Sequence, residues 1–389
     1  MKSLTTILFA FLLLSSLSLT QRVIVAEGDA EDKIYSVKSR VTYINPSDSD
    51  TIWNFTEDDR MIGLFMNNSW QNVELRNATH TVISVQTDED GNKVGVLELP
   101  RSRLHPGENM TIAAEYQVVA KPRLIANISE SESGTLGGIP EHMVQSYTGA
   151  EGPWLTNDPA LINLAYEIAG NETNVLTIVK DTIGWIKLNI DYGTHEIPLY
   201  ANQTLNVGVG DCDDQAVLLI TLLRILGIPS YLQIGAVYVP QNVELNQSFW
   251  NNRVKIVQRK MGWHGWAEVY VPPWGWLPVD LTFVPQGFDD PLNAVRYGAV
   301  TEQNTVQYMN ISKVDYVADS LEAKNFIVEN GFLLYYEEGM TELSQNGRLR
   351  GFNPTVTIIL IAAVTIVVSL VTILFMRRRR KRLEQQKPL

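Results

Sequence analysis

Cys212 is the only cysteine among the 389 residues. It stands in the run Gly208-Val209-Gly210-Asp211-Cys212-Asp213-Asp214-Gln215, where two glycines permit a tight turn and an apolar-periodic segment follows. A thiol in the first turn of a helix feels the positive end of the backbone dipoles, which lowers its pKa and enlarges the reactive thiolate fraction. A lone cysteine is usually a small buried hydrophobe, but one wedged among Asp211, Asp213 and Asp214 is poorly placed for a core. The three carboxylates would repel a thiolate. Side chains at a helix start splay in different directions, however, and exposed carboxylates are screened within about 8 Å at physiological salt. The expectation is a thiol that alkylates near neutral pH.

A base for that thiol is available between Trp263 and Phe283. Two strand-like runs there flank Pro272-Pro273-Trp274-Gly275, and His264 and Asp280 are 16 residues apart. A hairpin loop with an odd number of residues puts both side chains on one face, directly or diagonally opposed; an even loop puts them on opposite faces. A carboxylate beside an imidazole holds its tautomer and stabilises the imidazolium. A strand histidine is more often structural. Of the five histidines, though, His264 alone is followed by a hairpin with an aspartate that can be in phase. Trp263, Trp266, Trp274 and Trp276 bracket this hairpin, either as aromatic packing between sheet and helix or as a wall for substrate.

These residues need elements to position them. Apolar residues three and four apart predict helices over Asp158 to Ile168, Asn174 to Leu188 and Asp213 to Ile225, with Asp158 and Asn174 near caps and Gly184 weakening the second. After Gly227-Ile228-Pro229 the period changes to strand-like runs at 230–239, 264–271 and 276–283. Helices followed by an antiparallel sheet make an α+β layout. Upstream, runs at 36–44, 80–87, 93–99 and 110–119 separated by turn residues predict an antiparallel β-sandwich. Asp88, Asp90 and Asn92 superficially suggest a calcium loop, but they lack the full loop and its closing glutamate, so a hairpin turn is expected.

Together the two chemical segments resemble the transglutaminase-like superfamily, papain-like cysteine enzymes in chain order Cys, His, Asp. Gly210, Cys212, Asp214, Ala216, Leu223, Arg224, Gly227, Ile228 and Pro229 are similar to its nucleophile helix and following turn. His264-Gly265-Trp266-Ala267-Glu268-Val269-Tyr270 and Trp276-Leu277-Pro278-Val279-Asp280 are similar to its His and Asp strands. The match covers roughly Leu161 to Phe283. Ser230-Tyr231 stands where the family often has Ala-Arg, which bears on contacts to substrate. The resemblance implies that Cys212 is the nucleophile, His264 the general base and acid, and Asp280 the group orienting His264. The thiolate would attack an amide carbonyl to give a thioester, resolved by water or an amine. The Cys212 N–H is one oxyanion donor; the Trp185 indole is a second candidate, although its position between Ile183 and Ile186 suits core packing. No cofactor and no metal is implied.

Composition and the two ends set the context. A single cysteine excludes intramolecular disulfides, CxxC pairs and a zinc ribbon, and pI ≈ 5.0 leaves no basic footprint for nucleic acid. Lys2, the apolar run from Ile7 to Leu14 and the small residues after it read as a secretory signal over 1–26, with an uncleaved anchor as the alternative. Thr355 to Met376 is uncharged and about 33 Å long as a helix, enough for one transmembrane span over 354–376. Arg377 to Arg382 are all basic and place the tail 377–389 inside, as a plain stop-transfer signal more than as a lipid site. Without its basic ends the chain carries a net charge of −20. Nine Asn-x-Ser/Thr sequons, at Asn54, Asn67, Asn77, Asn109, Asn127, Asn171, Asn202, Asn246 and Asn310, are about three times the chance number.

The expected organisation is thus a β-sandwich at 27–125, a linker at 126–157, a transglutaminase-like domain at 158–285 and a mixed region of uncertain architecture at 286–353, on a single-pass cell membrane anchor with the amino terminus outside. Two functions follow from these readings. One is a cell-surface cysteine hydrolase or acyltransferase acting on peptide or protein amide bonds in the cell envelope. The other is a non-catalytic extracellular binding or scaffolding module on a retired enzyme fold. The intact Cys, His and Asp favour the first.

Overall fold

The computed structural model describes residues 32–343, apart from 122, 124, 126, 242–243, 285, 299 and 301–303. The expected signal at 1–26, span at 354–376 and tail at 377–389 lie outside the described residues. Among the described residues no helix is long and apolar enough to cross a membrane.

Of the helices that precede the central sheet, the three longest each begin where side-chain chemistry provides a cap. Asp158 accepts from the N–H groups of Ala160 and Leu161 at the head of α1 (Pro159–Ala169), and Asn174 accepts from Thr177 N–H at the head of α2 (Val175–Asn189). Such caps satisfy donors that a helix cannot satisfy itself. The third, α3 (Cys212–Ile225), is buried on all sides from Cys212 to Arg224. A helix buried around its whole circumference lies in the middle of a core, and α1 and α2 both pack on it.

Nearly every residue of one strand is likewise buried: β10, whose Met261–Val271 sequence is covered on both faces. It lies in a four-stranded sheet, order β11-β10-β7-β12, formed by β7 (Ser230–Tyr238), β10, β11 (Gly275–Val279) and β12 (Thr305–Ile311). Helix α3 packs on this sheet, and Trp263 reaches the second large sheet, donating its indole N–H to Glu338 Oε2 at 2.8 Å. Alternation fails as a guide in a doubly covered strand, and here only His264 and Glu268 interrupt an otherwise apolar run.

The second sheet corrects the expected amino-terminal domain. Its order is β8-β9-β13-β1-β6-β3, from β1 (Lys33–Ile44), β3 (Gln71–Ala78), β6 (Asn109–Ala120), β8 (Glu244–Phe249), β9 (Val254–Arg259) and β13 (Leu333–Leu343). Strand β1 pairs with β6 on one side and with β13, the last described strand, on the other. Residues 27–125 therefore do not close a sandwich by themselves: their sheet takes strands from between the helices and His264 and from beyond residue 330. The reason is visible in the burial of Tyr35, Val37, Val41 and Tyr43, an apolar row that needs covering. Trp263, Phe65 and Tyr308 stand over that side as a cluster with ring centroids 4.8 to 6.2 Å apart.

A smaller sheet, β2-β5-β4, consists of β2 (Met61–Leu64), β4 (Val82–Thr87) and β5 (Lys93–Leu97). The turn between β4 and β5 contains Asp88, Asp90 and Asn92. Asp88 Oδ1 caps the turn through the N–H groups of Asp90 and Asn92, while Asp90 accepts from the N–H groups of Ser312, Lys313 and Val314. These acids are engaged by backbone, and they pin the turn to the end of β12. The region beyond residue 286, whose architecture the sequence left open, supplies one strand to each large sheet and, between them, α4 (Tyr316–Glu329).

Candidate active site

Cys212 occupies the first position of α3, where a backbone N–H has no acceptor within the helix. Asp211 precedes it as the N-cap, and Asp214 folds back to accept from the Asp211 N–H at 3.2 Å and from Leu199 N–H at 2.7 Å. Gln215 Nε2 donates to Gly210 O at 2.9 Å. These contacts fix the turn that presents the sulfur.

His264 sits in β10, opposite Gly235 of β7. A Cβ on Gly235 would lie 2.6 Å from Val306 O and 2.8 Å from the Trp266 ring, so only glycine admits the indole that stacks on the His264 imidazole at 5.9 Å and 29°. The hairpin pairs Val271 with Gly275, leaving the three-residue loop 272–274. The loop is odd, the condition that puts His264 and Asp280 in phase. Extended by one residue, the β10–β11 register sets Asp280 opposite Trp266 and diagonal to His264. The imidazole Nε2 lies 2.8 Å from Asp280 Oδ2. The other oxygen, Oδ1, accepts from the N–H groups of Thr282 and Phe283 at 3.0 and 2.9 Å, and the Asp280 N–H donates to Ala294 O. With Nε2 engaged, Nδ1 is the ring nitrogen left to serve the thiol.

The packing of α3 on β10 brings the two halves together. Gly265, next to His264, would carry a Cβ only 3.1 Å from that of Asp213, so a larger residue would push the strand off the helix. The Gly265 N–H is directed at the Cys212 sulfur and favours its thiolate.

The electrostatics differ from the sequence expectation. Asp211, Asp213 and Asp214 are not splayed into solvent; all three are buried, as is Cys212 at 2% exposure. Burial, reinforced by the charges of Asp211 and Asp213, pushes the Cys212 thiol well above its ordinary value. Burial likewise raises the three carboxyls, Asp211 and Asp214 most, each repelled further by Asp213. Screening by salt does not reach groups from which water is excluded. The Cys212 sulfur and one oxygen each of Asp211 and Asp213 lie within 4.8 Å of one another, close enough for a cation to bridge. Both Asp213 oxygens already have partners, however: the Cys212 thiol at 3.9 Å and the Tyr316 hydroxyl at 2.9 Å.

Several contributors were not legible in the sequence. Arg123, far upstream, forms a two-pronged buried ion pair with Glu268, whose Oε1 also accepts from the Trp266 indole at 3.1 Å. The ring stacked on His264 is thus held from the amino-terminal part of the chain. Lys187 of α2 donates to Gln215 of α3 and to Leu281 O, tying the nucleophile helix to the segment after Asp280. Trp263 and Trp266 are core residues, with 3% and 1% exposure. Trp276 is half-buried and lies within 5.0 Å of Tyr147 and Tyr231, so Tyr231, where the family often has arginine, joins an aromatic cluster. Trp185 is half-buried and packs on the core from α2.

No curated protein matches the chain. Among solved structures, it is similar to a protein of Cytophaga hutchinsonii provisionally named a cysteine protease, with a TM-score of 0.50 and 15% identity over 84% of this chain and 96% of that one. The periplasmic domain of TgpA from Pseudomonas aeruginosa, bound to ethylmercury, aligns with 16% identity over 68% of this chain and 91% of that one, at a TM-score of 0.28 that supports no inference. Residues 162–281, from α1 through the residue after Asp280, match the transglutaminase-like superfamily. The chain thus carries a transglutaminase-like core, and Cys212, His264 and Asp280 all lie within it.

Proposed function

We propose that this protein is a cysteine hydrolase or acyltransferase acting on peptide or other amide bonds, with Cys212 as nucleophile, His264 as general base and acid, and Asp280 as the group that orients His264. One observation carries the reading: the 2.8 Å bond from His264 Nε2 to Asp280 Oδ2, on a strand packed against the helix start that holds the only cysteine. In the forward step the sulfur attacks the carbonyl carbon and its proton passes to His264 Nδ1. The tetrahedral oxyanion is met by the Cys212 N–H, and collapse expels the amine, which takes the proton from His264 and leaves a thioester. Water or a second amine then releases the acyl group.

The burial of Cys212 favours a second reading, a binding module on a retired enzyme fold. A panel of peptide amides and thioesters, followed by mass spectrometry of the protein, separates the two. The first reading expects an acyl adduct on Cys212 that is absent in Cys212→Ser and forms far more slowly in His264→Ala, because His264 must take the thiol proton before the sulfur can attack. A chain that never acylates with any member of the panel supports the module.

We also propose that the protein acts at the cell surface on envelope amides. Seven sequon asparagines, at 54, 67, 77, 109, 127, 171 and 246, are exposed, while Asn202 and Asn310 are half-buried. Exposure is what carbohydrate attachment needs. Protease added to intact cells should digest the chain ahead of residue 353 and spare the tail. Protection of the amino-terminal strands would refute the topology.

A further inference from the structure

The resting state of Cys212 is set by a neighbour that the Cys, His and Asp roles do not use. Asp213 follows the cysteine in α3 and is 1% exposed. Acids in a first helical turn normally face water, where they complement the helix dipole. Asp213 instead faces inward, with Oδ1 3.9 Å from the Cys212 sulfur and Oδ2 accepting from the Tyr316 hydroxyl at 2.9 Å. Tyr316 opens α4, lies outside the segment 162–281 that matches the family, and is fully buried. Its neighbour Asp315 accepts from the Tyr200 hydroxyl through both oxygens, 3.2 and 3.0 Å away. The start of α4 is thereby fastened to the chain just ahead of the nucleophile. The sulfur is therefore the donor of a thiol–carboxylate contact whose acceptor is held in place from the far end of the fold.

We propose that Asp213, fixed by Tyr316, is a fourth residue of the site: the acceptor that holds the Cys212 proton at rest, so that the nucleophile waits as a neutral thiol until His264 takes the proton. This rests on the triad reading given above. The proton stays on sulfur in the resting state, its hydrogen bond directed to Asp213 Oδ1. When the carbonyl is attacked, the S–H bond breaks, the new bond forms at His264 Nδ1, and Asp213 keeps its charge. Every titratable group near the sulfur bears on this balance. Asp213 and Asp214 come from α3 and Asp211 from its N-cap, His264 from β10, Asp280 from the residue after β11 and Tyr316 from α4, while Lys187 of α2 lies close enough to Asp280 for their charges to interact. Among them Asp211 and Asp213 raise the thiol most by their charge, followed by Asp280, and Asp213 alone is a hydrogen-bond acceptor for the sulfur among the described residues.

The test is the rate of iodoacetamide labelling against pH on the full chain, where a single cysteine makes the signal unambiguous. The plateau at high pH reports access to the sulfur and the midpoint reports its ionisation. Asp213→Asn keeps the shape and removes the charge. Its midpoint should fall by about one pH unit or more, which is about tenfold faster labelling below both midpoints. Tyr316→Phe removes the hydroxyl that stabilises the carboxylate. Asp213 Oδ2 then loses the partner that fixes it, its carboxylate is free to turn from the sulfur, and the midpoint should move the same way by a smaller amount, about threefold in rate. Unmoved midpoints in both variants would overturn the proposal, including the case where only the melting temperature changes. Should Asp213→Asn fail to fold, Tyr316→Phe decides alone. Turnover by His264→Ala tests the triad separately, so the two ideas can fail independently.

Discussion

At Asp280 each carboxylate oxygen has its own task. Oδ2 meets His264, and Oδ1 holds the backbone of residues 282 and 283. Asparagine at this position can still accept from those two N–H groups through its carbonyl oxygen, but its amide cannot stabilise an imidazolium as a carboxylate does. We expect Asp280→Asn to lower turnover by roughly 10³-fold or more with a melting temperature close to that of the parent, the two measured side by side. Equal turnover would make Asp280 a structural strand residue. The same scale shows where local reasoning failed. Asp211, Asp213 and Asp214 look like a solvated first turn, and their burial follows from β10 and α4 closing over the helix start.

At the scale of elements, β13 joins the large sheet to the strand bearing His264 through Glu338. This carboxyl is 4% exposed and accepts from Gln258 Nε2 of β9 and the Trp263 indole of β10, at 2.9 and 2.8 Å. Burial pushes its pKa up to about 7 from 4.5, against the opposing pull of those two donors. Between these values the folded chain keeps a proton that the unfolded chain releases. The contribution of Glu338 to stability is therefore full below pH 4.5 and is lost as pH rises through about 7, a change of about 3 kcal/mol. Urea unfolding at pH 5 and pH 8 should show the parent losing that much more stability than Glu338→Gln. Parallel losses in the two proteins would mean that Glu338 titrates normally in the fold.

Taken whole, the described chain interleaves its parts. Strand β1 is flanked by β6 and β13, and β13 in turn pairs in parallel with β9, from the insertion between β7 and β10. Arg123 reaches Glu268, and the turn at Asp90 caps the end of β12. A fragment of residues 27–125 would leave β1 without one neighbour and would expose the buried row Tyr35, Val37, Val41 and Tyr43 on the side where Trp263 and Tyr308 now stand. We expect this fragment to show no cooperative unfolding transition by circular dichroism, whereas residues 27–353 together show one. A sharp transition in the fragment would restore an independent amino-terminal domain.

The amino-acid sequence by itself determined the local parts. The caps at Asp158 and Asn174, the helix beginning at Cys212 and the strands expected at 230–239 and 276–283, found at Ser230–Tyr238 and Gly275–Val279, are specified within a dozen residues each, by side-chain donors, apolar period and turn residues. Even the pairing of His264 with Asp280 was conditional on one countable quantity, the parity of the loop at 272–274. Tertiary structure alone decided which strands share a sheet, because β1 and β13 are joined by a register of backbone hydrogen bonds across some 290 residues, and no local pattern encodes that choice. It also decided the charge state around Cys212. Whether a carboxylate is screened or repels depends on whether water reaches it, and water is excluded there by Tyr316, Gly265 and the Asp280 segment, groups brought to the sulfur from 53 to 104 residues downstream.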